Sequence, residues 1–354
     1  MELCSHASEF SKIILSPFIS ICIPSYNRPE SLLYLLDNIQ KQDLTDFEVV
    51  ICEDHSPRRV EIRTITEKFQ KTASFDVRYF ENETNLGYDK NLKELIQKAS
   101  GEYIIFMGDD DAFVDGGLAA FIGFLKANDQ LGYVLKTHMF IHKDGKQELF
   151  KYFDSDTFFE AGEMSVHTLF RKSVLISGFC IKRNFCLPHL IDNFDGTLLF
   201  QLYLLAEVCL SHPSAFCSIP LTVQTELLRQ TPMFGSSEAE KDLYKPGTIT
   251  PLNSINFMKG FFRITNYIDE KYKLNVTQAI RKDFSKYSYP VLAIQREKGL
   301  SVFIKYIKDL IKTIQIHRSV YFYIYSLALI IFGVKICNGV IMLIKKVLGK
   351  TPRL

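Results

Sequence analysis

The stretch GEYIIFMGDDD (101–111) leads from a turn through an unbroken apolar segment, Tyr103 to Met107, into three consecutive aspartates. A short apolar run bounded by glycines reads as a strand covered on both faces. Carboxylates only a few ångströms apart raise one another's pKa unless a cation lies among them. Asp109, Asp110 and Asp111 are therefore costly to place together at a strand end. Hard divalent ions such as Mg²⁺ or Mn²⁺ favour carboxylate oxygens and often share them with phosphates, so the triplet is a candidate metal–diphosphate site. The plainer alternative is a solvated turn capping a helix expected near residue 115.

Upstream, the same strand-to-polar-turn pattern repeats. Ile19–Ile23 is a short apolar run ending at Pro24, and Pro29 opens a helix whose Leu32, Leu35, Leu36 and Ile39 share one face. Phe47–Cys52 is a second strand ending in Glu53 and Asp54, with a helical segment near 58–70. Val77–Phe80 is a weaker strand, followed by a polar loop and a helix carrying Leu92, Leu95, Ile96 and Ala99. Repeated strand–helix units with apolar strands predict an α/β fold, a mostly parallel sheet flanked by helices. Such sheets bind ligands beyond the carboxyl ends of their strands. Residues 24–28, 53–54, 85–91 and 109–111 all fall at that rim.

Taken together, PSYNR (24–28), CED (52–54), NLGYDKN (85–91) and GEYIIFMGDDD (101–111) resemble the inverting family 2 glycosyltransferases of GT-A fold. The resemblance covers roughly residues 19–140. It implies a nucleotide-sugar donor whose base is framed by Pro24, Tyr26 and Arg28, with Asp54 on the base or ribose. It also implies a Mg²⁺ or Mn²⁺ ion held on the donor diphosphate by the acidic triplet. Many members carry the first acid of an Asp-x-Asp motif where this chain has Gly108. The acids are thus displaced by one, leaving Asp109 and Asp111 as the expected metal pair and Asp110 beside the diphosphate. Asn85, in a turn that simple helix initiation also explains, is a further donor contact, and Lys90 and Asn91 are secondary candidates.

An inverting transfer needs a base for the acceptor hydroxyl, and a carboxylate suits that role. The resemblance places it in the less regular second half. There IDNFDGTLLFQ (191–201) offers Asp195, ahead of Asp192 and the more distant Glu207. Asp195 is expected at a solvent-facing rim before a helix near 195–208, where it equally suits an N-cap. A hairpin is expected at His142–Lys146, from its Asp-Gly pair, and a strand near 214–225. Residues 229–248 read as a polar loop suited to a lid. The histidines form no zinc pattern.

Of 354 residues, 47% are apolar and the net charge is only +2, which excludes a disordered chain and argues against a nucleic-acid partner. Eight cysteines without a Cys-x-x-Cys pair read as reduced core residues. Charge is unevenly spread: residues 301–354 carry +8 and the remainder −6. Phe303, Ile307, Leu310 and Ile314 share one helical face opposite Lys305, Lys308 and Lys312. A charge-free run, 319–334, follows and continues past Lys335. An apolar, basic tail of this kind is expected to meet an anionic membrane surface.

No secretion-type leader is read in the apolar stretch 13–23, so the body is expected in the cytoplasm, peripheral to the inner face of the membrane. The organisation expected is a GT-A domain over 1–250 (19–140 donor half, 141–250 acceptor half) and a helical extension over 251–354 with a membrane-associating segment 301–348. The resemblance implies a single-sugar transfer to a lipid-linked glycan, as in bacterial O-antigen or capsule. Processive synthases are disfavoured, because the chain lacks Trp and hence their Gln-x-x-Arg-Trp motif. A nucleotidyltransferase or a silent membrane scaffold are the competing classes.

Overall fold

The computed structural model describes residues 16–42, 44–225 and 233–348. Residues 13–15 of the apolar stretch, Cys4, residues 229–232 of the polar loop and the chain beyond 348 lie outside the described residues.

The donor half follows the expected alternation. It runs β1 (Ile19–Ser25), α1 (Pro29–Gln40), β2 (Phe47–Glu53), α2 (Arg59–Gln70), β3 (Asp76–Glu81), α3 (Tyr88–Lys98), β4 (Tyr103–Phe106), β5 (Ala112–Phe113) and α4 (Gly117–Lys126). The acceptor half adds β6 (Tyr133–Ile141), β7 (Gln147–Phe150), β8 (Thr157–Phe159), α5 (Glu163–Leu169), β9 (Phe179–Lys182), α6 (Arg183–Cys186), α7 (Phe200–Ser211) and β10 (Ser214–Thr225). The extension is α8 (Pro251–Tyr272), α9 (Val276–Lys286), α10 (Tyr289–Arg296), α11 (Leu300–Asp309), a π turn (Leu310–Ile314) and α12 (Val320–Leu348).

The strands join one sheet in the order β3-β2-β1-β4-β9-β6-β10-β5, with β7 on β6 and β8 on β10. β1, β2, β3 and β4 are mutually parallel, as are β6 and β10. β9 departs from the parallel pattern, lying antiparallel between β4 and β6. At four residues it is too short to leave a period in the sequence, and no strand was expected there. The hairpin at 142–146 is present: His142 N donates to Lys146 O (2.9 Å), and Gly145 takes the positive φ (+80°) of the tight turn.

Alternating side chains of β1 bury in opposite layers. Ile21 and Ile23 pack with Leu32, Leu35 and Phe121, while Cys22 packs with Leu92, Leu95 and Phe106. The second layer runs on without a break into Met258, Phe261, Ile280, Leu292, Phe303, Leu310 and Phe322 of the extension. The body and extension therefore share one core. This overturns one expectation: the apolar face of 301–316 is not open to a bilayer, since Phe303, Leu310 and Ile314 are buried and Tyr306 Oη bonds Ser254 Oγ at 2.7 Å. The seven described cysteines are unpaired and buried.

Helix α12 behaves differently. Val320–Ile344 is long and apolar enough to cross a membrane, yet little of it is buried against the body. Phe322 and Leu329 face the body, whereas Ile324, Leu327 and Ile331 are exposed. The helix kinks at Gly333 (φ 71°), and Arg296 Nε donates to Leu329 O (2.9 Å) on the turn leading into the kink.

Candidate active site

All four strand-end loops reach one pocket of about 250 Å³. Pro24, Ser25, Tyr26 and Arg28 come from the end of β1, Asp54 from β2, Asn85 and Gly87 from β3, and Gly108, Asp109 and Asp110 from β4. β1 turns sharply into this pocket because Asn27 adopts a left-handed conformation (φ 62°), which Asn tolerates better than most residues. A fifth wall comes from Met233, Phe234, Ser236, Ser237 and Glu240.

Asp54 braces the third loop as well as lining the pocket. Its Oδ1 accepts from Leu86 N and Asn82 Nδ2, and its Oδ2 from Gly87 N, all at 2.8 Å. Burial pushes its pKa up, against the pull of those donors. Glu240 grips the same turn from the other side: Tyr88 N and Gly235 N each donate to it at 2.7 Å. Residues 233–240 are thereby pinned over the start of α3.

The three aspartates have three different surroundings. Arg28 Nη1 lies 3.0 Å from Asp109 Oδ1 and 3.2 Å from Asp110 Oδ2. Burial raises Asp109 to about 7, with Arg28 opposing and Asp110 reinforcing the shift. Asp111 receives a hydrogen bond from Ser177 Oγ on Oδ2, and burial raises it to about 6. Buried Lys136, itself lowered to about 8 by desolvation, sits within its electrostatic reach. Asp110, its side chain 24% exposed, lines the pocket beside the buried Asp109, whereas Asp111 does not line it. The expected Asp109–Asp111 pair is therefore divided, one acid turned to Arg28 and the other to Ser177. Among the described residues no three His, Cys, Asp or Glu side chains are already gathered around a metal position. The donor set still suits a hard cation: Asp110 presents a carboxylate to the pocket, and Asp111 Oδ1 is buried with no hydrogen-bond partner.

Residues 20–175 match the family described as "Glycosyl transferase family 2". The chain carries a family 2 glycosyltransferase domain. It is 33% identical over 101 residues to the abequosyltransferase RfbV of Salmonella typhimurium, covering 28% of this chain and 30% of that protein. It is 29% identical over 130 residues to a Campylobacter jejuni GalNAc(5)-diNAcBac-PP-undecaprenol beta-1,3-glucosyltransferase, covering 36% of this chain and 40% of that one. The matches thus span well under half the length of these relatives. Residues 1–349 of Staphylococcus aureus TarS, solved with UDP-GlcNAc, superpose with a TM-score of 0.57 at 17% identity, covering 94% of this chain and 92% of that one. The fold is GT-A.

Beyond residue 175 the family 2 match ends, and here the structure corrects the sequence reading most. Asp195 does not stand open at the rim. Its Oδ1 pairs with Lys93 Nζ (2.8 Å), its Oδ2 lies 3.8 Å from Lys90 Nζ, and it does not line the donor pocket. Lys90 is thereby turned to Asp195 instead of the donor, and Asp192 also pairs with Lys93. Nor does Asp195 cap a helix, because α7 starts only at Phe200. That capping role belongs to Asp89, which accepts from Leu198 N and Phe200 N, both at 2.9 Å. Glu207 is buried beneath Lys271 and Tyr272, away from any rim. Asn91 braces the pocket wall by donating to Cys52 O (3.1 Å). Glu240, Ser237 and Phe234 were missed as individual residues. The only signal for them was the polar composition of their loop.

Proposed function

We propose that this protein transfers a single sugar, with inversion, from a nucleotide-sugar to a lipid-linked glycan in the building of a bacterial surface polysaccharide such as O-antigen or capsule. The observation that carries this reading is the convergence of Pro24, Tyr26, Arg28, Asp54, Asn85 and Asp110 on one pocket. A concave, largely apolar site with a few placed polar groups suits a nucleotide base and sugar. Tyr26 and Pro24 offer apolar surface to the base, and Arg28 holds positive charge where a diphosphate would lie. The undecaprenol diphosphate in the name of the Campylobacter relative supports a lipid-linked acceptor.

Asp110, with Asp109 and Asp111 beside it, would hold Mg²⁺ or Mn²⁺. When bound, that ion would stabilise negative charge on the departing nucleoside diphosphate. For inversion, the acceptor hydroxyl passes its proton to a base. Asp195 is the carboxylate proposed for that step; it would take the proton only on leaving its ion pairs with Lys93 and Lys90, which hold it outside the donor pocket. Asp195→Asn removes the ion pair and the base together, and two readouts report them: loss of the ion pair lowers Tm, and loss of the base lowers kcat by about a hundredfold or more. The exposed apolar face of α12 supports a location at the cytoplasmic face of the membrane, with the catalytic body against an anionic lipid surface.

The test is a transfer and hydrolysis screen across UDP-, GDP-, CDP- and dTDP-sugars with Mn²⁺ or Mg²⁺. Turnover of one donor, abolished by Asp110→Asn at unchanged Tm, is expected. Full activity in that variant would remove the acidic loop from the reaction.

A further inference from the structure

A second cavity, about 520 Å³, opens between α8, α9, the π turn and the loop preceding α7. Its charged lining is Lys259, Arg263 and Arg281 against one carboxylate, Glu270. On α8, positions 259, 263, 266 and 270 recur in steps of three and four, so they form a single stripe facing the cavity. Other arginines of the chain are matched to acids: Arg58 to Glu30 and Glu61, Arg63 to Glu81, Arg171 to Asp283. Among the described residues, none of the three cavity cations makes a salt bridge or hydrogen bond. Arg263 and Arg281 have only ring contacts, to Phe194 (6.0 Å) and Phe262 (4.8 Å).

Arg281 Nε is buried with no hydrogen-bond acceptor. Desolvation pushes Arg281 below the usual arginine range, and the charge of Arg318 pushes the same way. A buried donor lacking an acceptor is unfavourable, and an anion in the cavity relieves both the lost hydrogen bond and the mutual repulsion. Guanidinium groups match phosphate oxygens with paired N–H donors, and Asn193, Asn266 and Thr313 add neutral ones. The cavity's place in the chain narrows the source of the anion. Thr313 and Ile314 line it, and six residues later the exposed apolar helix α12 begins.

We propose that this cavity binds the phosphate or diphosphate of a lipid headgroup at the bilayer surface on which α12 lies. The lipid source rests on the membrane reading of α12 given above; the phosphate chemistry does not. Association through the apolar face alone is indifferent to the headgroup. Cations in a cavity whose lining ends six residues before that helix would make it selective, by an electrostatic gain for each Lys or Arg near the surface.

The experiment uses the full chain and its Arg263→Gln/Arg281→Gln variant, floated with phosphatidylcholine vesicles with or without phosphatidic acid. The wild type is expected to prefer the phosphatidic acid vesicles. The variant should lose that preference by about thirtyfold, with binding to pure phosphatidylcholine and donor hydrolysis unchanged. An equal preference in both proteins overturns the proposal. Should the double variant fail to fold, exposed Lys259→Gln reads out a smaller loss of the same preference, about fivefold. A wild type that binds neither vesicle overturns the lipid source together with the membrane reading. In that case, a pyrophosphate-induced rise in Tm absent from the variant identifies a soluble phosphate as the ligand instead. Loss of donor turnover in every protein would count against the glycosyltransferase reading and leave the vesicle comparison intact.

Discussion

Arg28 Nη1 stands 3.0 Å from Asp109 Oδ1, tying the loop after β1 to the loop after the adjacent strand β4 across 81 residues of sequence. The same nitrogen is 3.2 Å from Asp110 Oδ2. One guanidinium therefore offsets two consecutive carboxylates that would otherwise repel each other in a poorly solvated loop.

Removing that cation leaves Asp109 buried without its counter-charge. Arg28→Met is expected to destabilise the protein by about 3 kcal/mol, in the range for breaking one side of a largely buried pair. Chemical denaturation measures this directly. Arg28→Lys keeps the charge but loses the planar fork, so it should recover part of the stability and less of the donor turnover.

Asp89 gives the fold a pH dependence with a definite sign. Burial raises it to about 7, while the amides of Phe200 and Leu198 pull it down. The unfolded carboxyl titrates near 3.9, so the folded state holds the extra proton between about pH 4 and 7. This contribution is complete at acid pH and is lost as the pH rises through the folded value. Relative to Asp89→Asn, which keeps an acceptor for only one of the two amides but does not titrate, the wild type should lose on the order of 2 kcal/mol between about pH 5 and pH 7. Denaturation of the two proteins across that window checks it; parallel stability curves would exclude Asp89 as the source.

How much of this was legible in the sequence differs sharply between the halves. β1, β2, β4 and the helices between them carry clean periods, because strands buried on both faces and helices buried on one admit few other patterns. The rim residues were legible because they follow those strands directly. The division of labour among Asp109, Asp110 and Asp111 was not, since it depends on Arg28 and Ser177, which lie 81 and 66 residues away. The same holds for Asp89. Nothing local marks it as the cap of a helix starting at Phe200, more than a hundred residues later, and so Asp195 was favoured for a role at that helix. In the tail, periodicity showed the apolar face of 301–316 correctly but could not say that Ser254 and its neighbours on α8 would cover it.

Gly87 tests the closure of the pocket by residues 233–240. Its φ is +83°, and a Cβ there would lie 2.4 Å from Ser237 Oγ and 2.7 Å from Glu240 Oε1. Gly87→Ala is expected to cost about 1–3 kcal/mol, from backbone strain and displacement of that wall. The donor KM should rise more than kcat falls. Adding Ser237→Gly removes one clash while the positive φ persists, so partial recovery is expected. Full recovery would mean that the clash, and not the backbone, carries the effect.

The two sides of α12 predict opposite phenotypes. Ile324, Leu327 and Ile331 are 52–60% exposed, whereas Phe322 is fully buried against the body, as is Leu329. Withdrawing a large aliphatic side chain from an apolar phase costs about 1.5–3 kcal/mol. Leu327→Glu/Ile331→Glu should therefore weaken vesicle binding by at least about tenfold. Because both sites are exposed, Tm should stay close to wild type. Phe322→Glu places a charge in the shared core and should instead unfold the extension without first releasing the protein from lipid. Flotation and thermal melting of the three proteins distinguish these outcomes. If the double variant binds vesicles as wild type does, the exposed stripe is not the surface that meets the bilayer.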